Sequence, residues 1–286
     1  MTALEAWREI VRARQAQMDA AYADLERTST DFWNRRAERF RAQGLHLHDS
    51  DLGLRLLRRL TNAESTVLDV GAGAGRYARA IAPHVRRVVA VEPNNALAEH
   101  IRTDAAAEGL TNLAVIEASW EEASADPADL VLCSHVLYPH AEIDTFVRKL
   151  DAHALGACLI LAMAAWQEPA FLLEQWRAFH HEPRRGQPNA RDVFNVLYEM
   201  GIMPNVEVDV LPGGAGMWSF ASLDEAVAVC REHLILSDTP ETGRRLSAAL
   251  TEALQRSEDG RLSLPALPRL VAGLWWRADS PRLGTD

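Results

Sequence analysis

The chain has 286 residues, 48% of them hydrophobic and 24% charged, with a formal net charge of −10. This is enough for one large domain or two small ones around a sizeable core, and the acidic balance argues against a nucleic-acid partner, whose binders normally present a basic face. No apolar run approaches the roughly 18 residues of a membrane span, and Met1 to Asp24 is charged throughout without the apolar stretch of a secretory signal, so a cytoplasmic protein with no membrane partner is expected.

The N-terminal region reads as helical. Leu4, Trp7, Val11, Met18, Tyr22 and Leu25 recur at helical spacing and predict an amphipathic helix over 3–27. Thr28–Thr30 breaks it, and Asp31 can cap a second helix reaching Arg41, with Phe32, Trp33 and Phe40 on its aromatic face. Leu52 to Leu60 predicts a third, so residues 1–61 form an N-terminal helical cap. Short β-branched and aliphatic runs then alternate with helix-compatible stretches. Val67–Val70, Arg87–Glu92, Asn112–Glu117, Asp129–Ser134 and Ala157–Met163 read as five strands, with Asn205–Leu211, which alternates and has one wet face, and Leu270–Arg277 as the last two. Helices are predicted over 141–153, 169–180 and from Asn189 to about Met200, and two more at about 222–236 and 240–257. The expected organisation is a core over 62–277 with inserts at about 164–188 and 212–269, then a tail over 278–286. Cys133, Cys158 and Cys230 lack metal-like spacing, and the first two sit in apolar runs where a thiol behaves as a small hydrophobe.

The first strand carries the most specific signal. Asp69 is followed by Gly71, Gly73 and Gly75 at alternate positions, and a helix-compatible run begins at Tyr77. Strand, glycine turn and helix bring a ligand against bare backbone. The dinucleotide fingerprint G-x-G-x-x-G would place its third glycine where Arg76 stands, so that reading fits poorly. The second strand ends at Glu92, 21 residues past Gly71, and an acid there can accept both hydroxyls of a ribose.

The order acid-x-Gly-x-Gly-x-Gly, the acid at Glu92, Ser119-Trp120 after the third strand and Ser134-His135 after the fourth resemble the class I S-adenosylmethionine-dependent methyltransferases, in particular the small-molecule, methyltransferase type 11 or UbiE-like members. The resemblance covers about 62–164 well and 190–277 loosely. It implies an α/β fold: a Rossmann-like, doubly wound, mostly parallel seven-stranded sheet with the N-terminal helical cap and helical inserts. It also implies S-adenosylmethionine as cofactor, with S-adenosylhomocysteine as product. By the same resemblance Gly71, Ala72, Gly73 and Gly75 cradle the methionine part, Asp69 orients its amino group, and Glu92 takes the ribose. Asn94 or Leu97 borders the adenine opposite Ser119 and Trp120, Pro93 belongs to the same cofactor-binding set, and Ser134 and His135 lie beneath the sulfonium. Trp33 and Arg36 in the cap are expected to touch the ligand, packing against the sheet being the alternative for Trp33.

Methyl transfer from a sulfonium is an in-line displacement that needs alignment and dryness more than a nucleophilic residue. His135, Tyr138 and His140 are the candidates for facing the acceptor, His135 as proton acceptor or simply as a group shaping the pocket. The Asn/Asp-Pro-Pro-aromatic signature of base- and glutamine-modifying relatives is absent, since Ser134 opens Ser-His-Val-Leu-Tyr. The expected acceptor is therefore a small molecule. The alternatives are a noncatalytic binder of S-adenosylmethionine or S-adenosylhomocysteine, an RNA methyltransferase and a nicotinamide oxidoreductase. A metal is not expected: His46-Leu-His48-Asp49 with Asp51, and His180-His181-Glu182, lack a matching third ligand. Nothing in the sequence fixes the oligomeric state.

Overall fold

The central apolar runs become strands buried on both faces. The structure, a computed structural model, describes residues 1–23, 25, 47–165, 168–210, 218–257, 260–265, 267–280 and 282. The strands are β1 (Thr66–Val70), β2 (Arg87–Val91), β3 (Leu113–Ile116), β4 (Ala128–Ser134), β5 (Ala154–Met163), β6 (Asn205–Val210), β7 (Ser219–Phe220), β8 (Gln255–Arg256), β9 (Leu262–Ser263) and β10 (Leu270–Arg277). The main sheet has the order β3-β2-β1-β4-β5-β10-β6. Strands β1 to β5 pair in parallel, and β10 runs antiparallel between β5 and β6. This is the seven-stranded, doubly wound, Rossmann-like sheet that the sequence predicted.

The helices are α1 (Ala3–Ala23), α2 (Leu52–Leu60), α3 (Arg76–Ile81), α4 (Asn95–Ala107), α5 (Ile143–His153), α6 (Ala170–His180), α7 (Ala190–Glu199), α8 (Leu223–His233) and α9 (Pro240–Ala253). Strand β4 shows how they sandwich the sheet. Leu130 and Leu132 pack with α2, α3 and Ile101 of α4 on one face. Val131 and Cys133 pack with α1, α5 and α7 on the other. A strand covered on both sides has no polar alternate positions, which is why its sequence is a continuous apolar run. Asn189 caps α7 in a capping box, with Asp192 as its reciprocal acid. Lys149, the only lysine of the chain, donates to the carbonyls of Trp120, Glu121 and Ala123 and so anchors the loop after β3 to α5.

The two inserts join. Leu172 and Trp176 of α6 share a core with Trp218, Phe220, α8 and α9, and Tyr22 at the end of α1 packs into it. The strands β7, β9 and β8 form a small antiparallel sheet beside it, an element absent from the sequence prediction because two-residue strands carry no periodicity. Buried Glu168 pairs with Arg184 at 3.1 Å and with His233 at 2.9 Å, clamping the first insert to the second. Gln17 of α1 exchanges hydrogen bonds with the backbone of Pro183 and Arg185. The insert in the last hairpin thus folds back to join the insert that follows β5. The expected second cap helix, with Phe32, Trp33, Arg36 and Phe40, lies outside the described residues, as do most of the tail and His46.

Candidate functional site

The turn after β1 is shaped by its glycines, each for its own reason. Gly71 has φ of 71°, and a Cβ there would overlap Cγ2 of Val136 and lie 3.0 Å from its Cγ1. Its bareness lets the segment after β4 pass close by. Gly73 has φ of 58°, and a Cβ there would meet nothing within 4 Å. Gly75, with φ of 77°, starts α3. The backbone donors of the turn already have partners: Gly71 and Ala72 N–H both donate to the Val91 carbonyl, and Gly73 N–H donates to Glu92 Oε2 at 2.8 Å. The turn therefore offers a ligand open space above Gly73 more than unsatisfied N–H groups.

Glu92 stands at the tip of β2. Its other carboxylate oxygen accepts Asn94 N–H at 2.9 Å, so two backbone donors fix its orientation. It is only 6% exposed, and burial raises its pKa, opposed by the bonds from Asn94 and Gly73. Each oxygen retains lone-pair capacity for a further hydroxyl donor. Asp69, near the end of β1, is 2% exposed. Burial first, and then the nearby Glu92, raise its pKa to about 7 against the bond it accepts from Ala78 N–H. Two acids at adjacent strand tips beside an unfilled glycine position suit a ligand that brings hydroxyl donors and a positive charge. S-Adenosylmethionine has both, so these residues fit it.

Around them, Asn94 caps α4 by accepting Leu97 N–H at 3.1 Å, and the buried Leu97 side chain packs on Ala74 of the turn. Pro93 is exposed and Ser119 half-buried, and the Ser119 hydroxyl caps the next turn at Glu122 N–H. Trp120 requires a correction. The indole is buried in the core against Phe146 and His153, with Lys149 Nζ 4.6 Å over the ring and Nε1 donating to the Phe146 carbonyl. It belongs to the packing under α5 and is not presented at the sheet edge. The expected adenine contact fails because the aromatic pattern of α5 claims the indole.

At the end of β4, Ser134 pairs with Leu161 and His135 turns the chain with φ of 59°. A left-handed conformation is strained for a histidine and is commonest at functional positions. The His135 backbone N–H donates to the Leu161 carbonyl. Nδ1 of its ring is 2.9 Å from Tyr138 Oη, which also accepts Met163 N–H at 2.9 Å. Burial, and then the positive charges of Arg269 and Arg76, push the His135 pKa down to about 4. The imidazole is therefore neutral near pH 7 and weakly basic, which favours the pocket-shaping role over proton acceptance. His140 is separated from this pair. Its ring packs on Phe146, its Nδ1 lies 3.2 Å from Glu121, and its carbonyl accepts Trp7 Nε1. The expected grouping of three thus reduces to His135 and Tyr138.

Two groups were not read as part of this site, Asp51 having been weighed only as a metal ligand. Asp51 is buried at the start of α2, where it caps Leu54 N–H, pairs with Arg76 at 2.8 Å and accepts Tyr77 Oη. Arg269 enters the site just before β10. Neither sits in a motif, and only the antiparallel direction of the last strand could have pointed to Arg269. Of the histidines weighed for a metal, His48 bonds Ser50 and His180 bonds the Leu234 carbonyl.

Residues 67–154 match the model of a family described as a methyltransferase domain. The chain is 27% identical over 120 residues to the uncharacterized methyltransferase YcgJ of Bacillus subtilis (strain 168). That alignment covers 41% of this chain and 47% of the relative, about half its length. The solved YcgJ structure superposes with a TM-score of 0.52 at 18% identity, covering 79% of this chain and 98% of that one. Coclaurine N-methyltransferase bound to N-methylheliamine and S-adenosylhomocysteine gives a TM-score of 0.50 at 14% identity, covering 78% of this chain and 69% of that one. Residues 67–154 thus match a methyltransferase domain, and the sheet order and the acid-and-glycine turn are similar to those of class I S-adenosylmethionine-dependent methyltransferases.

Proposed function

We propose that the protein transfers a methyl group from S-adenosylmethionine to a small-molecule acceptor. The observation that carries this reading is the buried Glu92 carboxylate, held by Gly73 and Asn94 N–H next to the unfilled position over Gly73. The cofactor supplies an already activated methyl group when bound. Glu92 would hold its ribose and Asp69 its ammonium group, with Leu97, Asn94 and Ser119 bordering the adenine. His135 and Tyr138, tied to each other and to Met163, would keep the acceptor in line and water out. Coclaurine N-methyltransferase, bound to a small molecule, supports that acceptor class by analogy of fold alone.

The second reading, a noncatalytic cofactor binder, predicts a tight cofactor site and a closed or plugged acceptor pocket beside His135 and Tyr138. The strained His135 and its link to Tyr138 favour an enzyme. Calorimetric titration with S-adenosylhomocysteine tests the binding step, and transfer of a labelled methyl group from S-adenosylmethionine into a metabolite extract tests turnover. Micromolar binding that is lost in Glu92→Ala is expected. No binding to the parent protein would overturn the proposal, and binding without any labelled product would leave the noncatalytic reading standing in its place.

A further inference from the structure

Arg269 lies beside the His135–Tyr138 pair. Strand β10 runs antiparallel to β5, so its first residues stand at the edge where the parallel strands end. Val271 pairs with Met163, the last residue of β5, and Ala164 N–H donates to the Leu270 carbonyl at 2.8 Å. Arg269 therefore projects from the rim that also holds His135 and Tyr138. Its Nη2 is 3.6 Å from Met163 Sδ, a weak acceptor. The titratable groups that act on it are the Tyr138 phenol and, repulsively, Arg76. Among the described residues no carboxylate pairs with it, whereas Arg76 has Asp51 and Arg184 has Glu168. A half-buried guanidinium beside a second cation lacks compensation.

We propose that the acceptor is a carboxylic acid whose carboxylate is taken up by the Arg269 guanidinium, setting the rest of the molecule against the His135–Tyr138 pair. The inference rests on the methyl-transfer reading above and names its substrate class. A planar guanidinium matches a carboxylate with two parallel bonds. The charge balance favours a monoanion over a phosphate dianion. The charge of Arg76 is already answered by Asp51, which also accepts a bond from Tyr77, so among the described residues Arg269 is the cation left to a ligand. In a chain of net charge −10, an anionic substrate needs such a local counter-charge to enter. Arg269 is thus a specificity-determining residue, and the methyl-accepting atom lies elsewhere on the same molecule.

The test titrates protein saturated with S-adenosylhomocysteine with matched pairs: benzoate and benzamide, phenylacetate and its amide, and phenyl phosphate as the dianion. The parent protein, Arg269→Met and Arg269→Lys are compared, and the thermal midpoint and S-adenosylhomocysteine affinity of each are recorded. At least one carboxylate is expected to bind the parent tenfold or more tightly than its amide. Arg269→Met should bind both alike with cofactor affinity unchanged, and Arg269→Lys should restore part of the preference. Should Arg269→Met fail to fold, the parent comparison and the lysine variant decide. Equal affinity for acid and amide in the parent, or a preference surviving in Arg269→Met, overturns the proposal. Tighter binding of phenyl phosphate overturns the choice of carboxylate. If S-adenosylhomocysteine itself does not bind the parent, the methyl-transfer reading fails first and takes this inference with it.

Discussion

Protonation of Asp69 should control cofactor affinity. Its pKa stands at about 7 because the carboxyl is buried beside Glu92, against an ordinary value near 3.8. A ligand that presents an ammonium group to it binds only the ionised form well. The dissociation constant for S-adenosylhomocysteine should therefore rise as pH falls below 7, by about tenfold for each unit once the carboxyl is mostly protonated. Between pH 7.5 and 5.5 the expected weakening is roughly 25-fold for one such group. Calorimetry at both pH values, in two buffers of different ionisation enthalpy, should also detect about one proton released on binding at pH 6. Asp69→Asn copies the protonated side chain, so its affinity should be weak and flat across this range. Stability carries the opposite sign. The folded protein holds the Asp69 proton more tightly than the unfolded chain does, so this contribution is present at acid pH and is lost as pH rises through 7. Its upper bound is about 4 kcal/mol, from roughly 1.4 kcal/mol per pK unit. Asp69→Asn should accordingly gain on the parent in denaturant midpoint as pH rises from 6 to 8. A pH-independent affinity in the parent, or the same slope in Asp69→Asn, would refute the assignment of Asp69 to the ligand's positive charge.

Further outcomes follow from single contacts. Gly71→Ala should lower stability by about 2–4 kcal/mol in urea denaturation, since the methyl meets Val136 and φ stays left-handed. Gly73→Ala should cost only about 1 kcal/mol of stability for its left-handed backbone, yet weaken S-adenosylhomocysteine tenfold or more in calorimetry, because its methyl enters the space left for the ligand. Tyr138→Phe leaves Met163 N–H without its acceptor and should lower stability by about 1–3 kcal/mol. It should also alter the His135 imidazole resonances in NMR spectra, because the Nδ1 bond is lost. His135 itself, with its pKa held near 4, should show no titration between pH 6 and 8. The unfolded chain binds that proton more tightly, so the contribution of His135 to stability is lost as pH falls from 6.5 toward 4.

The sequence carried the sheet well, because its core strands are buried on both faces and read as unbroken apolar runs bounded by punctuation. The acids Asp69 and Glu92 and the glycine turn were legible for a related reason: local geometry demands those residue types at that spacing. What the sequence hid depends on tertiary neighbours. Nothing near Gly71 announces Val136, and the same glycine that suggested a ligand cradle serves a close approach of the chain itself. Trp120 follows the third strand as an adenine contact would, but its indole is drawn into the core by Phe146, His153 and Lys149. His140 is five residues past His135 and faces another wall. The union of the two inserts rests on contacts such as Glu168 with Arg184 and His233, which no periodicity encodes. Arg269 reaches the rim beside His135 and Tyr138 only because β10 reverses direction.

The central claim is that Asp69, Gly73 and Glu92 form one cofactor cradle. A crystal structure of the protein with S-adenosylhomocysteine tests it most directly. The account predicts both ribose hydroxyls on the Glu92 carboxylate, the ligand's amino group toward Asp69, and its chain passing over the bare face of Gly73. A nucleoside bound away from the tips of β1 and β2, or one that leaves Glu92 engaged only with Gly73 and Asn94, would contradict it.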